Sequence, residues 1–276
     1  MEKLDRLGWA AGFCFTSHGV RIGVRSNDPS LVEGLEPLLP PGSRLGSSPT
    51  VDRLYSLLAG GSGARPGVRT LNLVYADETR IARGRNIRDI LEAFESDLQL
   101  YVAESARNRI FVHAGVVARS NKAIIMPGQS FSGKTTLVAE LVRAGATFYS
   151  DEYAVFDQKG LVHPYPKPLA IRDPSGSQRK CPPESLGGSC GRRPIPIGAV
   201  VISSFKAGAR WRPRNASLGQ GILGLLANTV AARRKPEISL DAFERSLDQA
   251  LVLIGPRGEA RAAAASILQV FDAVHK

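Results

Sequence analysis

The sequence predicts an α/β protein in two parts, a small α+β unit over residues 1–85 and a larger α/β domain over residues 86–276. Three observations carry that reading. Ala123-Ile124-Ile125-Met126 is an apolar strand candidate that runs into a glycine-bearing loop and then a helical run, Leu137 to Val142. Further strand-like segments recur on both sides of that unit. After Asn86 the texture changes, and apolar residues begin to recur at helical spacing. With 276 residues and 43% apolar side chains, the chain can bury one large core or two smaller ones.

In the first part, residues 12–25 alternate loosely and predict two short strands around a His18-Gly19 turn. Residues 29–39 read as a short helix, with Pro29 at its start and Pro40-Pro41-Gly42 as its stop. Stretches rich in Gly, Ser and Pro cover 42–50 and 60–67; a short helix is expected over 51–59 and a strand over 71–75. No chemistry is visible here, and His18 reads as a turn residue.

In the second part, Ile87, Ile90, Leu91, Phe94, Leu98, Tyr101 and Val102 predict an amphipathic helix over 87–106. Residues 110–118 and 122–126 read as a hairpin joined at Arg119-Ser120-Asn121, and the helix after the glycine loop runs 134–144 to stop at Gly145. Residues 147–157 alternate as one strand. Pro164, Pro166 and Pro168 interrupt the strand pieces 161–165 and 169–172. Residues 173–196, rich in Gly, Pro, Ser and Arg, read as a long mobile loop. The apolar run 197–205 is a buried strand. Ser217 is expected to cap a helix reaching Arg233, Ser239 another reaching Leu251, and an alanine-rich helix takes 259–274.

The glycine loop is Gly128-Gln129-Ser130-Phe131-Ser132-Gly133-Lys134-Thr135, a G-x-x-x-x-G-K-T pattern followed by Thr136. Glycine lets the backbone turn inward, so that successive amides face phosphate oxygens. The new helix adds free N–H groups and the positive end of its dipole. Lys134 then stands between the outer phosphates of a nucleotide, and the Thr135 hydroxyl completes a Mg²⁺ shell. A Gly/Ser turn that merely opens a helix is the plain alternative. The pattern arises by chance in about one chain in a hundred of this size, and the flanking strand and helix favour the phosphate site.

Two further pieces carry chemistry. His113 lies one strand before the loop, in Phe111-Val112-His113-Ala114-Gly115. Asp151-Glu152 interrupts the apolar run from Phe148 to Phe156, where acids are costly to bury unless ion-paired, metal-bound or catalytic. Alternation along one continuous strand sends the two to opposite faces, so only one would face the phosphates. Taken singly, His113 reads as a core histidine and Asp151 as a strand-end acid.

Composition narrows the rest. No run of eighteen apolar residues exists, which argues against a membrane span, and the N-terminus lacks the layout of a signal peptide. The three cysteines, Cys14, Cys181 and Cys190, are an odd number without metal-ligand spacing; free thiols in the cytoplasm are the expectation. Lys plus Arg number 36 against 25 acids, a net charge of +11, which suits anionic partners. The arginines are scattered and no aromatic ladder accompanies them, which argues against nucleic acid.

Taken together, these residues resemble the kinase domain of HPr kinase/phosphorylase and its stand-alone P-loop relatives. The likeness runs from the helix ending Leu100-Tyr101-Val102-Ala103-Glu104 through Val112-His113-Ala114-Gly115-Val116-Val117 and Gly128 to Thr135, then Arg143-Ala144-Gly145 and Ser150-Asp151-Glu152. That is roughly a quarter of the chain. The resemblance implies an α/β (α+β) fold with a mixed, mostly antiparallel sheet related to that of PEP carboxykinase. It puts Asp151 at the catalytic acid/base, Glu152 at its acidic neighbour and on the metal, and His113 at the site histidine. Lys134 and Thr135 fall on phosphate and Mg²⁺. The chain departs from the family at Phe131, where a loop glycine is usual, and at Thr136, where an acid is common. Ala170-Ile171-Arg172-Asp173 only echoes the family's Glu-Ile-Arg-Gly signature, and the first part does not resemble the family's N-terminal domain.

The expectation is therefore an ATP–Mg²⁺-dependent kinase that moves a phosphoryl group to a hydroxyl, serine of a protein or peptide first, with small molecules as a subclass. Asp151 serves as base, while Arg172 and the segment 173–196 contact the acceptor. A nucleotide-binding regulatory module with little turnover is the rival, favoured by Phe131 and the missing glutamate; a basic nucleic-acid-binding ATPase comes third. The sequence leaves a homo-oligomer open.

Overall fold

The computed structural model describes residues 2–61, 70–128, 132–172 and 178–275. Contacts divide the chain into two compact units, Met1–Asn108 and Arg109–Lys276.

The first unit is built on a six-stranded sheet. Helix α1 (Glu2–Asp5) precedes β1 (Ala11–Ser17) and β2 (Val20–Ser26), which form the expected hairpin, with His18 and Gly19 at φ 48 and 84 in its turn. Helix α2 (Pro29–Glu33) is capped by the Asp28 side chain and stops at Gly34, so the 29–39 helix is shorter than expected; a 3-10 turn at Glu36–Leu38 follows. Then come β3 (Arg44–Gly46), β4 (Arg53–Leu58), β5 (Asn72–Ala76) and β6 (Thr79–Gly84), in the sheet order β3-β1-β2-β4-β5-β6. The helix expected over 51–59 is thus a strand. Tertiary pairing overrides local preference there: β4 lies parallel to β2 and antiparallel to β5, with Tyr55 and Leu57 fully buried. Helix α3 (Ile87–Ser105) forms as periodicity predicts, capped by Asn86. Its stripe of Ile90, Phe94, Leu98 and Val102 shares one core with Val24, Tyr55 and Val74 of the sheet. The Tyr55 hydroxyl donates to Asp97 of the helix at 2.6 Å, and Arg53 donates to the same carboxylate at 3.1 Å. The helix therefore belongs with the sheet before it, and the division falls at 108/109 instead of 85/86.

The second unit begins with the expected hairpin, β7 (Ile110–Arg119) and β8 (Lys122–Pro127), turning through Ser120 and Asn121 at φ 51 and 56. The remaining elements are α4 (Lys134–Arg143), β9 (Thr147–Ser150), β10 (Tyr153–Phe156), β11 (Val162–His163), β12 (Leu169–Arg172), β13 (Gln178–Cys181), β14 (Ile197–Phe205), β15 (Arg214–Asn215), α5 (Leu218–Leu226), α6 (Pro236–Leu247), β16 (Leu251–Arg257) and α7 (Ala260–Val274). The main sheet runs β11-β10-β7-β8-β14-β16-β15, with β9 also on β7. Strands β8, β14 and β16 are mutually parallel and the other pairings antiparallel, so the sheet is mixed. Helices cover both faces. Ile124 and Met126 share a core with Val138 and Leu141 of α4 and Ile267 and Phe271 of α7, while Ala123 and Ile125 share one with Leu225 of α5 and Phe243 of α6. A strand covered on both faces needs no polar alternation, which is why β8 and β14 read as continuous apolar runs.

Other expectations are corrected here. Residues 178–196 are not a loose loop. Strand β13 pairs with β12, a 3-10 turn spans Pro183–Leu186, and Ile171, Cys181 and Leu186 pack on the core beneath α4. Residues 173–177 lie outside the described set. Helix α5 ends at Leu226, short of Arg233, although Ser217 caps it with a full capping box to Gln220. Ser239 lies inside α6, donating to the Lys235 carbonyl at 2.8 Å, and Leu251 opens strand β16 instead of closing a helix.

One close approach seats the loop helix. A Cβ at Gly115 of β7 would collide with the Val138 side chain of α4. Gly115→Ala is expected to lose about 1–3 kcal/mol through overpacking, partly recovered when Val138→Ala is added. Urea midpoints in a double-mutant cycle measure this; strictly additive losses would show that α4 does not rest on Gly115.

Candidate functional site

The glycine loop joins β8 to α4 and is tied down at both ends. The Gly128 N–H donates to the His113 carbonyl at 3.1 Å, which fixes the loop's first residue to β7. Lys134 Nζ donates back to the Gly128 carbonyl at 2.6 Å. Gly133 is the N-cap of α4 in the left-handed region, φ 79, with no side chain capping the helix, and its carbonyl receives the Leu137 N–H at 3.2 Å. A Cβ on Gly128 would lie 2.9 Å from Ser132 Oγ, so glycine permits the tight entry. Thr135 is half-buried and Thr136 exposed on the first turn. Gln129, Ser130 and Phe131 lie outside the described residues, and with them the departure at Phe131.

The acidic pair does not lie on a continuous strand. Ser150 ends β9, and its hydroxyl accepts from the N–H groups of Glu152 at 3.2 Å and Tyr153 at 3.0 Å, breaking the chain's strand path. Both flanks pair with β7, at Val116↔Ser150 and His113↔Tyr153. Asp151 and Glu152 thus occupy a kink opposite Ala114 and Gly115, and the alternation expected of one strand does not govern them. Asp151 turns to the loop, where the Thr135 hydroxyl and the Lys134 ammonium lie close enough to act on its carboxylate. Its Oδ1 is buried and has no hydrogen-bond partner among the described residues. Burial, offset by the Thr135 bond and the Lys134 charge and reinforced by Glu152, pushes the Asp151 carboxyl up to about 7. The Glu152 side chain is 43% exposed and meets Lys167 Nζ at 3.7 Å.

Burial, then the neighbouring Lys134 charge, pushes the His113 imidazole down, which favours the neutral ring. It lies 4.9 Å from the Tyr153 ring, centre to centre. Burial likewise lowers Lys134, against the raising influence of Asp151 and then Glu152. The segment after α5 closes the far edge of β7: Asn228 O accepts from His113 N at 2.8 Å, Val230 N donates to Phe111 O at 2.9 Å, and Val112 bridges Thr229. Arg172 ends β12, and its side chain lies outside the described set.

A residue that sequence reasoning missed joins this group. Arg257, the last residue of β16, is 3% exposed and donates through Nη2 to the carbonyls of Gly133 at 2.9 Å and Ser132 at 3.3 Å. Its signal was Leu251-Val252-Leu253-Ile254, a short apolar run closed by Gly255-Pro256, which is strand grammar.

The donor set fits a small hard cation. The Thr135 hydroxyl and the orphaned Asp151 oxygen would offer two oxygens beside the glycine loop, and Mg²⁺ characteristically takes one or two protein oxygens and fills its shell with water and phosphate. No group of three His, Cys, Asp or Glu suited to hold a metal occurs among the described residues, so phosphate oxygens would have to complete the set.

The Asp151 shift has a sign in stability. An acid that keeps its proton to about 7 when folded, against 3.8 for its ordinary value, costs stability as pH rises through that window, because the folded state binds more protons there. Asp151→Asn removes the penalty. Without ligand, the variant is expected to match the wild type near pH 4 and exceed it near pH 7.5 by on the order of 2 kcal/mol. Urea midpoints across that range test this, and a pH-independent difference would show a solvated carboxylate.

No family model matches the chain, and no curated protein matches it. The HPr kinase-like resemblance therefore rests on the residues of the loop, His113 and the Asp151–Glu152 kink themselves.

Proposed function

We propose that the protein is an ATP–Mg²⁺-dependent kinase that transfers a phosphoryl group to a hydroxyl, serine of a protein or peptide being the first acceptor to test. The observation that carries this reading is the convergence of Asp151, Thr135 and Lys134: a buried carboxylate with one oxygen unpartnered among the described residues, beside the loop lysine and the hydroxyl that follows it. Three roles follow. The loop amides and the amino end of α4 bind polyphosphate, and Lys134, released from the Gly128 carbonyl, neutralises charge on the transferring group. Asp151 accepts the hydroxyl proton of the acceptor, and a carboxyl near 7 is matched to that task at neutral pH. Thr135 with a carboxylate of the Asp151–Glu152 kink would hold Mg²⁺, which would supply charge stabilisation at the phosphates. Neutral His113 anchors the loop through its carbonyl and borders Lys134 through its ring.

The engagement of Glu152 by Lys167 favours the rival, a nucleotide-binding regulatory module, because it occupies one of the two acids offered to a metal. Acceptor labelling separates the two. With labelled ATP, Mg²⁺ and serine peptides, the kinase is expected to yield phosphoserine, and Asp151→Asn to bind ATP within tenfold of wild type while transfer falls about a hundredfold or more. Tight ATP binding with no acceptor labelled in peptide libraries, extracts or metabolite pools would make the module the better reading.

Lys134→Ala is expected to lose ATP binding by calorimetry while circular dichroism stays native, since Lys134 is half-buried and serves the loop rather than the core. Unchanged affinity in a folded variant would remove the phosphate assignment altogether.

A further inference from the structure

Arg257 stands out once the rest of the unit is accounted for. It ends β16 at the same edge of the parallel strands β8, β14 and β16 where the loop leaves the sheet, the edge at which open α/β sheets gather ligands. It is 3% exposed, yet no carboxylate among the described residues lies within ion-pair distance of it. Its partners are neutral: Nη2 donates to Gly133 O and Ser132 O, Nη1 donates to Gly258 O at 3.2 Å, and the Phe205 ring lies 5.9 Å away. Its Nε is buried with no partner among the described residues. Burial lowers its pKa, with Glu259 acting against that. A cation removed from water without a counter-charge is costly, and most buried arginines are paired.

The loop is shaped around it. A Cβ at Gly133 would lie 2.5 Å from Arg257 Nη2, and Gly133 sits at φ 79, so glycine is required there both for the backbone and for the guanidinium. A carbonyl held by Arg257 cannot also turn toward an incoming phosphate, which it would repel.

We propose that Arg257 is the positioning residue of the phosphate loop: a buried cation with no ion pair among the described residues, which fixes the Ser132 and Gly133 carbonyls away from the ligand and favours the most highly charged polyphosphate tail. The proposal rests on the nucleotide reading above. Arg257 acts through the loop backbone and through its field. Its field favours a triphosphate over a diphosphate, because the attraction grows with ligand charge while the loop amides stay the same.

The test uses the full chain, Mg²⁺, and calorimetric titrations with ATP and ADP alongside thermal unfolding without ligand. Arg257→Met keeps the bulk and removes the charge. It is expected to weaken ATP at least tenfold and to shrink the preference for ATP over ADP, with an unliganded Tm equal to or above wild type, since an unpaired buried charge has been removed. A structural arginine would instead lower that Tm. Arg257→Lys keeps the charge and loses the fork; it is expected to weaken both nucleotides while retaining the preference. Unchanged ATP affinity in Arg257→Met, or a Tm that falls with no change in the ATP-to-ADP ratio, would overturn the proposal. Should Arg257→Met not fold, unchanged affinities in Arg257→Lys would overturn it equally. A wild type that binds neither nucleotide defeats the nucleotide reading itself, and this proposal with it.

Discussion

Strand β7 is the member on which the candidate site hangs. One edge carries β9 and β10 with the Asp151–Glu152 kink between them; the other carries β8, whose end becomes the glycine loop. Its His113 carbonyl receives the Gly128 amide, and its Gly115 leaves room for α4. The loop and the acid come from segments on either side of α4, and what fixes their separation is the register of two antiparallel ladders on one strand. Backbone pairing is well suited to that task, because a slip of one residue would turn every side chain on β7 to the wrong face. The cost is a histidine and a glycine in the middle of a buried strand, where packing alone would choose neither.

The site also balances charge in a definite order. Lys134 and Arg257 are cations drawn into the interior, and burial acts against the charge of each. Asp151 is pushed the other way by the same burial. Lys134 donates to the Gly128 carbonyl, Asp151 keeps an oxygen without a partner among the described residues, and Arg257 donates to carbonyls. On the proposed reading, a polyphosphate with its metal would meet all three groups together. Sites of this kind trade the stability of the free protein for affinity.

How much of this the sequence revealed follows from the length scale of each signal. The loop, its helix, the β7–β8 hairpin and α3 were legible because each is written in a contiguous pattern: turn residues, apolar runs, or a helical stripe. Strand β4 was not, since Leu54 to Leu58 fits either period and only its two neighbours in the sheet decide it. The segment 178–196 misled by composition. Its glycines are there for contact, Gly188 against Val142 and Gly191 against Tyr149, and a polar, glycine-rich reading cannot distinguish close approach from slackness. Within the site, the types at His113, Lys134, Thr135 and Asp151 were readable, whereas the kink that releases Asp151 from strand alternation depends on Ser150 turning its hydroxyl onto the backbone. Arg257 lies more than a hundred residues from the loop it holds, and no local pattern could connect them.

The segment that closes the far edge of β7 has a consequence for communication. Asn228, Thr229 and Val230 bond to the same three residues, Phe111 to His113, whose last carbonyl holds the first glycine of the loop. A few positions further on come Arg233, Arg234 and Lys235, a basic cluster leading into α6. A ligand at the loop and an anion at that cluster would each bear on one short stretch of backbone. If either event favours one placement of that stretch, the other must feel the same preference, because coupling free energies run equally in both directions. The backbone of Phe111 to His113 is thus shared between the segment after α5 and the first glycine of the loop, with the His113 peptide unit as the junction.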